Sequence, residues 1–221
     1  IYTSSVLIDD AVLERLAQFN SLAPLHQPHN IEGIHRFREA FPLVPQVACF
    51  DTAFHAHMPE RNRAFALPRN LTEQQGIRRY GFHGLSYQYI QSVLQERSAR
   101  ANQRVVMAHL GSGASLCATL NGTSIATTMG FSALDGLMMG TRTGALDPGA
   151  ILYLMEIEKL TLEQVGQILY HRSGLLGISG LSPEPRVIVQ HESDDGENGL
   201  RARLALDLYV RRIVREIGSL T

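Results

Sequence analysis

Helical and strand-like segments alternate along this chain, which predicts an α/β or α+β fold. Three observations carry that reading. Residues 9–20 (DDAVLERLAQFN) place Val12, Leu13, Leu16 and Phe19 at helical spacing, with acids in the first turn. Residues 105–130 (VVMAHLGSGASLCATLNGTSIATTMG) read as three short β-rich runs, turned at Gly111–Gly113 and at Asn121-Gly122. Asn-Gly between apolar runs is a strong hairpin signal. Beyond a Gly/Met-rich loop, Asp147 supplies an N-cap and Pro148 a first helical position. Pattern alone does not choose between the two classes.

The remaining elements follow in order. The proline-histidine segment 23–30 reads as a loop and residues 31–41 (IEGIHRFREAF) as a second helix. Residues 43–51 (LVPQVACFD) read as a buried strand ending in the carboxylate of Asp51, and residues 52–70 as irregular. A helix over 85–99 starts just after the Gly-Phe-His-Gly of 81–84. Thr161 and Gln164 form a capping box, with Leu160 and Val165 placed for a hydrophobic staple. Residues 183–199 are polar and turn-rich. The last helix, 200–217, is expected to bury Leu204, Leu208, Ile213, Val214 and Ile217 and to leave its arginines outside.

The 221 residues are 44% hydrophobic and 19% charged, which suits one large or two modest domains. The net charge of −1, with no basic stripe, points away from nucleic acid and from anionic membranes. No apolar run reaches membrane-spanning length and no signal peptide opens the chain. Cys49 and Cys117 fit no metal or redox spacing, so a cytoplasmic location is expected. The start at Ile1 inside a β-like segment, and the stop just after a helix, read as the middle of a longer protein.

Several residues invite a chemical reading beside a plain one. Gly111-Ser112-Gly113 is either a simple turn or a backbone cradle for an anion. His109, at the end of the preceding run, either donates to that anion or is an ordinary half-buried histidine. Asp51 ends an apolar strand, where α/β proteins commonly place catalytic groups, or it caps the next turn. His83 sits at a helix N-terminus that favours anions, or serves the turn. Arg142, in an apolar loop, either clamps a carboxylate or phosphoryl group in two-point fashion or is solvated. His55 and His57 form an HxH pair that would bind metal on a strand, but the segment is not convincingly one and no third ligand is identified.

In order, FDTAFHAHMP, RRYGFHGLSYQYI, AHLGSGASLCA, GFSALDGLMMGTRTGALDPG and SGLLGISG, with TSSVLIDD and LAPLH before them, resemble the acetate kinase/propionate kinase family over essentially the whole chain. The resemblance implies the actin-like fold shared with sugar kinases and heat-shock-protein ATPases, two ribonuclease-H-like domains around a cleft. Residues 1–51 would close the first domain and residues 52–221 begin the second, so the fold would be incomplete at both ends. The implied activity is reversible, in-line transfer of the γ-phosphoryl of ATP, with Mg2+, to acetate or propionate, by a cytoplasmic homodimer. Asp51 would be the essential carboxylate, and His83 and Arg142 the transition-state stabilisers. His109, Leu110, Gly111, Ser112 and Gly113 would form the phosphate loop, and Leu25, Phe82 and Ala133 the pocket for the acid's alkyl tail.

This sequence departs from the family pattern at several positions. Ser112 stands where Asn is common, Ala133 where proline is, and Asp135 where Glu is. The family's Ser-x-Asp-x-Arg near adenine is here Ser182-Pro183-Glu184-Pro185-Arg186, in which only Ser182 and Arg186 agree; Arg186 is the nucleotide contact the resemblance implies. The family's N-terminal Asn-x-Gly-Ser-Ser-Ser-x-Lys loop, a His-Gly-Gly segment with a substrate arginine, and a C-terminal adenosine motif with the magnesium-linked glutamate have no match in the 221 residues. The alternatives are a catalytically incomplete scaffold or interaction module, and another ATPase of the same superfold.

Overall fold

The computed structural model describes residues 2–20 and 27–221. The N-terminal part is β1 (Val6–Leu7), α1 (Asp10–Ala17), α2 (Gln27–Ala40) and β2 (Val47–Ala48). The Asp9 carboxylate accepts from the Val12 N–H at 2.8 Å and so caps α1, which buries Leu13 and Leu16. β1 and β2 pair antiparallel, Val6 opposite Ala48. Arg38 crosses from α2 to Asp10 at 2.7 Å and to the Ile8 carbonyl at 3.0 Å.

Two expectations change here. α2 includes residues 27–30, part of the segment read as a loop. The expected buried strand over 43–51 shrinks to Val47–Ala48, with Val47 57% and Leu43 95% exposed. Pro45 lacks the donor that a longer ladder would need.

A 3₁₀ turn (Ala53–His55), α3 (Glu60–Arg63) and a wide turn (Asn70–Gln74) lead to α4 (Gly84–Arg97). Then β3 (Arg104–Leu110), β4 (Ala114–Leu120) and β5 (Thr123–Thr127) form an antiparallel meander in that spatial order, with a bulge at Ala118/Thr119. The expected turn at Asn121-Gly122 is present with φ of 51° and 74°. β4 is buried along all but its last residue, and α4 packs on this sheet through Tyr87, Met107 and Cys117.

The C-terminal part is helical: α5 (Pro148–Glu156), α6 (Leu162–His171), α7 (Gly174–Ser179), α8 (Pro185–Gln190) and α9 (Glu197–Leu220). Asp147 caps α5 as expected, and both bonds of the Thr161/Gln164 capping box are made. α8 lies where a turn-rich loop was expected; Pro185 opens it at a position where proline is tolerated. α9 follows the expected face only in part: Leu208 and Ile213 are half-buried against the two cores. Ala202 and Ala205 are fully buried against Met138, Leu175 and Ile188, whereas Leu204, Val214 and Ile217 are exposed. Small side chains let α9 approach its neighbours closely, and that decides the face.

The segment between β5 and α5 threads between two cores. Leu137 and Met139 pack with Ala114, Leu116 and Met129, while Met138 turns to the α7–α9 side. Its backbone is tied down as well: the Leu175 N–H bonds to Met139 O, Leu176 N–H to Gly140 O and Ser173 N–H to Thr141 O, each at 2.9 Å. Gly174 holds φ of 63°, and a Cβ there would collide with the Met139 carbonyl.

Two glycine substitutions test this. Gly174→Ala should destabilise the fold by about 2 kcal/mol or more, through a strained φ and a collision. Gly166, inside α6 with nothing within 4 Å of an added Cβ, should behave oppositely: Gly166→Ala should stabilise by about 0.5–1 kcal/mol. Denaturant midpoints of the two variants check both signs.

Candidate active site

A cleft of about 710 Å³ opens between the N-terminal elements, the start of α4 and the loop after β5, and Asp51, Phe82, His83, Ala133 and Arg142 all line it. Tyr80 and Phe131 add aromatic surface, their ring centroids 6.1 Å apart.

Asp51 follows β2 and reaches the start of α4. Its carboxylate accepts from the His83 N–H at 2.7 Å and the Leu85 N–H at 3.2 Å, and its own carbonyl accepts from the Gly84 N–H at 2.9 Å. The aspartate therefore caps α4 from a distant segment, a charge-assisted arrangement that the helix dipole favours. His83 sits at the cap with φ of 59°, a left-handed conformation rare for a residue with a side chain.

The His83 imidazole stacks on His109, centroids 4.0 Å apart and planes 18° off parallel. Each ring carries a serine on Nδ1: Ser115 Oγ at 2.8 Å for His83 and Ser86 Oγ at 3.0 Å for His109. Each Nε2 faces a glycine of the hairpin. A methyl group added to Gly113 would lie 3.2 Å from His83 Nε2 and 2.6 Å from Arg142 Nη2; one added to Gly111 would lie 3.3 Å from His109 Nε2. The bare Cα of Gly113 is what lets the guanidinium and the imidazole converge. Burial, then the neighbouring His109, pulls the His83 pKa down to about 4, with Arg142 adding to the depression against the opposing pull of Asp51. His83 is therefore neutral near pH 7.

Arg142 donates from Nη1 to the Ala133 carbonyl at 2.7 Å. Burial lowers its pKa, yet guanidinium is basic enough to stay charged. In the hairpin, the Gly111 N–H closes onto Gly113 O at 3.0 Å, and the Gly140 N–H holds Ser112 O at 3.2 Å. Among the described residues, the N–H groups of Ser112 and Gly113 have no protein acceptor, which leaves two adjacent donors for an anion.

The other sequence candidates divide. His109 stands at the hairpin base, while Leu110 and Ser112 are exposed on it. Arg186 lies exposed at the start of α8 and does not line the cleft, although Pro183 of the same segment packs against Gly140. Leu25 lies outside the described residues. Asp135 pairs with Arg79 at 3.1 Å. His55 is buried and both its nitrogens are taken: Nε2 donates to Phe82 O at 2.9 Å, and Nδ1 accepts from Ser124 Oγ at 2.8 Å. It does not pair with the exposed His57 on a common face. Ser115, Ser86 and Tyr87 escaped sequence reading, because only the fold brings them to the two histidines.

The whole chain, residues 1–221, matches the acetokinase family. It is 53% identical to an acetate kinase of Rhodopseudomonas palustris, covering 100% of this chain and 54% of that one. It is 46% identical to an acetate kinase of Clostridium botulinum, covering 100% and 55%. Among solved structures, a propionate kinase from Francisella tularensis superposes with a TM-score of 0.91 at 38% identity, over 99% of this chain and 56% of the other. A Porphyromonas gingivalis acetate kinase does so at 0.88 and 37%, over 99% and 55%. The chain thus spans about half the length of the curated relatives it matches. With its full length matched and a cleft that gathers Asp51, His83 and Arg142, the chain belongs to the acetokinase family.

Proposed function

We propose that the whole protein carrying this chain transfers the γ-phosphoryl group of ATP, reversibly, to the carboxylate of acetate, with propionate as a further substrate. The observation that carries this reading is the convergence of His83 Nε2 and Arg142 Nη2 at Gly113, beside two donor N–H groups and above an apolar wall. Phosphoryl transfer depends on positioning and charge neutralisation, and a carboxylate acceptor needs no base. In this reading Phe82 and Ala133 hold the alkyl tail, the Ser112 and Gly113 N–H groups cradle phosphate, and Arg142 and neutral His83 donate to the transferring oxygens. Asp51 orients His83. The actin-like two-domain division at residue 51, the homodimer and the cytoplasmic setting belong to the same family-derived reading.

ATP and magnesium enter through the family. When bound, magnesium would neutralise phosphate charge. The described residues do not form its site by themselves: among them, no group of three or more His, Cys, Asp or Glu side chains could hold it.

Trapping the acyl phosphate as hydroxamate, with acetate and ATP present, tests the activity on the whole protein. Carboxylate-dependent product is expected, and ATP hydrolysis indifferent to acetate would contradict it. Residues 1–221 alone should yield none, since groups that act as a unit are not replaced by half of them.

Arg142→Ala should lower kcat by about 10²–10³-fold. Arg142→Lys should recover little, an ammonium being unable to reproduce a planar two-point clamp. Wild-type turnover in either would remove Arg142 from the chemistry.

His83 should titrate with a midpoint near 4 in a histidine NMR titration, against 6.5 for a solvated imidazole. Because His83 binds fewer protons in the native state between those values, its contribution to stability should fall as pH drops from 6.5 toward 4 and level off below. A midpoint at 6.5 would contradict the buried, neutral ring.

A further inference from the structure

Behind His83 stand two buried hydroxyl groups to which the family reading gives no part. Ser115 is 0% and Tyr87 1% exposed. Ser115 Oγ lies 2.8 Å from His83 Nδ1 and is also hydrogen-bonded to the Tyr87 hydroxyl. Burial pushes the Tyr87 pKa well above its ordinary value, so the phenol keeps its proton. A buried O–H must find an acceptor, and among the described residues that acceptor is Ser115 Oγ. With the Tyr87 proton on its oxygen, Ser115 turns its own proton to its other partner, His83 Nδ1. A ring nitrogen that accepts carries no hydrogen, so the neutral imidazole holds its proton on Nε2, the atom that faces Gly113 and Arg142.

We infer that Ser115, backed by Tyr87, is a positioning residue that fixes His83 as the Nε2–H tautomer and so aims a hydrogen-bond donor into the cleft. The kinetic consequence rests on the phosphoryl-transfer reading; the tautomer does not. The opposite tautomer would present a lone pair to an approaching phosphoryl oxygen and repel it. The ring's orientation is over-determined in the same way. Its backbone N–H is held by Asp51, its face by His109, and its far nitrogen by Ser115, so rotation would break the Ser115 bond and the stack together.

The experiment is nitrogen-15 NMR of the intact, histidine-labelled protein, with the His83 signals assigned by their loss in His83→Gln. Wild-type protein should show a protonated Nε2 and a bare Nδ1. Tyr87→Phe removes the proton that turns Ser115 toward His83, so part of the molecules should show a protonated Nδ1. Ser115→Ala removes the donor, and Nδ1 should become protonated in a substantial share of molecules. In turnover assays Ser115→Ala should lower kcat about ten-fold, with KM for acetate and ATP changed less than about two-fold. Ser115→Thr, which restores a hydroxyl, should recover most of that rate. A proton on Nδ1 in the wild type, an unchanged tautomer in folded Ser115→Ala, or an unchanged kcat in active Ser115→Ala protein would each overturn the inference. A tautomer that shifts as stated in a protein without acyl kinase activity would uphold the assignment of Ser115 and overturn the proposed function instead.

Discussion

The carboxylate of Asp51 holds together the two halves of the cleft wall. It comes from the segment after β2 and takes the N–H groups of His83 and Leu85 at the head of α4. Holding a residue such as His83 in the left-handed region costs roughly 1–2 kcal/mol. Hydrogen bonds to a charged group contribute about 1.5–3 kcal/mol each, so the pair offsets the strain with a margin. Gly84 completes the junction, because a Cβ there would strike the Asp51 carbonyl. The sequence Gly-Phe-His-Gly followed by a helix is therefore a device for presenting an imidazole at a fixed angle, and its strain is balanced within the same few residues.

Arg142 is positioned by packing more than by charge. Its loop runs between two cores, with Leu137 and Met139 in one and Met138 in the other, all at most 4% exposed. Burying side chains of that size contributes about 1.5–3 kcal/mol each, which makes sliding of the loop expensive. The bonds of Met139, Gly140 and Thr141 to the start of α7 fix the backbone, and the Gly140 N–H ties the loop to the glycine hairpin. A guanidinium mounted this way gives up little further freedom when it meets a ligand, the condition for stabilising charge without reorganisation. The hairpin, α4 and the arginine loop thus form one rigid wall.

How far the sequence announced this depended on the range of each interaction. Local signals worked: Asp9, Asp147 and the Thr161/Gln164 box cap their helices, and Asn121-Gly122 turns its hairpin. Signals that depend on tertiary context did not. Apolar spacing pointed α9 toward Leu204 and Val214, whereas close helix packing selects Ala202 and Ala205. The Pro-Glu-Pro before α8 looked like a loop because proline both ends and begins helices. Asp51, His83 and Arg142 were individually ambiguous and became legible through the order of long motifs. Ser115 and Tyr87, 32 and 4 residues from His83, gave no signal, since their contact with it exists only after β4 folds against α4.

In the proposed reaction, one anion site lies where His83, Arg142 and the hairpin meet. A crystal structure of the whole protein with acetate and a non-hydrolysable ATP analogue tests it most directly. The terminal phosphoryl oxygens should lie within about 3 Å of His83 Nε2, an Arg142 guanidinium nitrogen and the Ser112 or Gly113 N–H, with the acetate methyl against Phe82 and Ala133. A terminal phosphate bound elsewhere, with His83 and Arg142 left as they stand now, would contradict it.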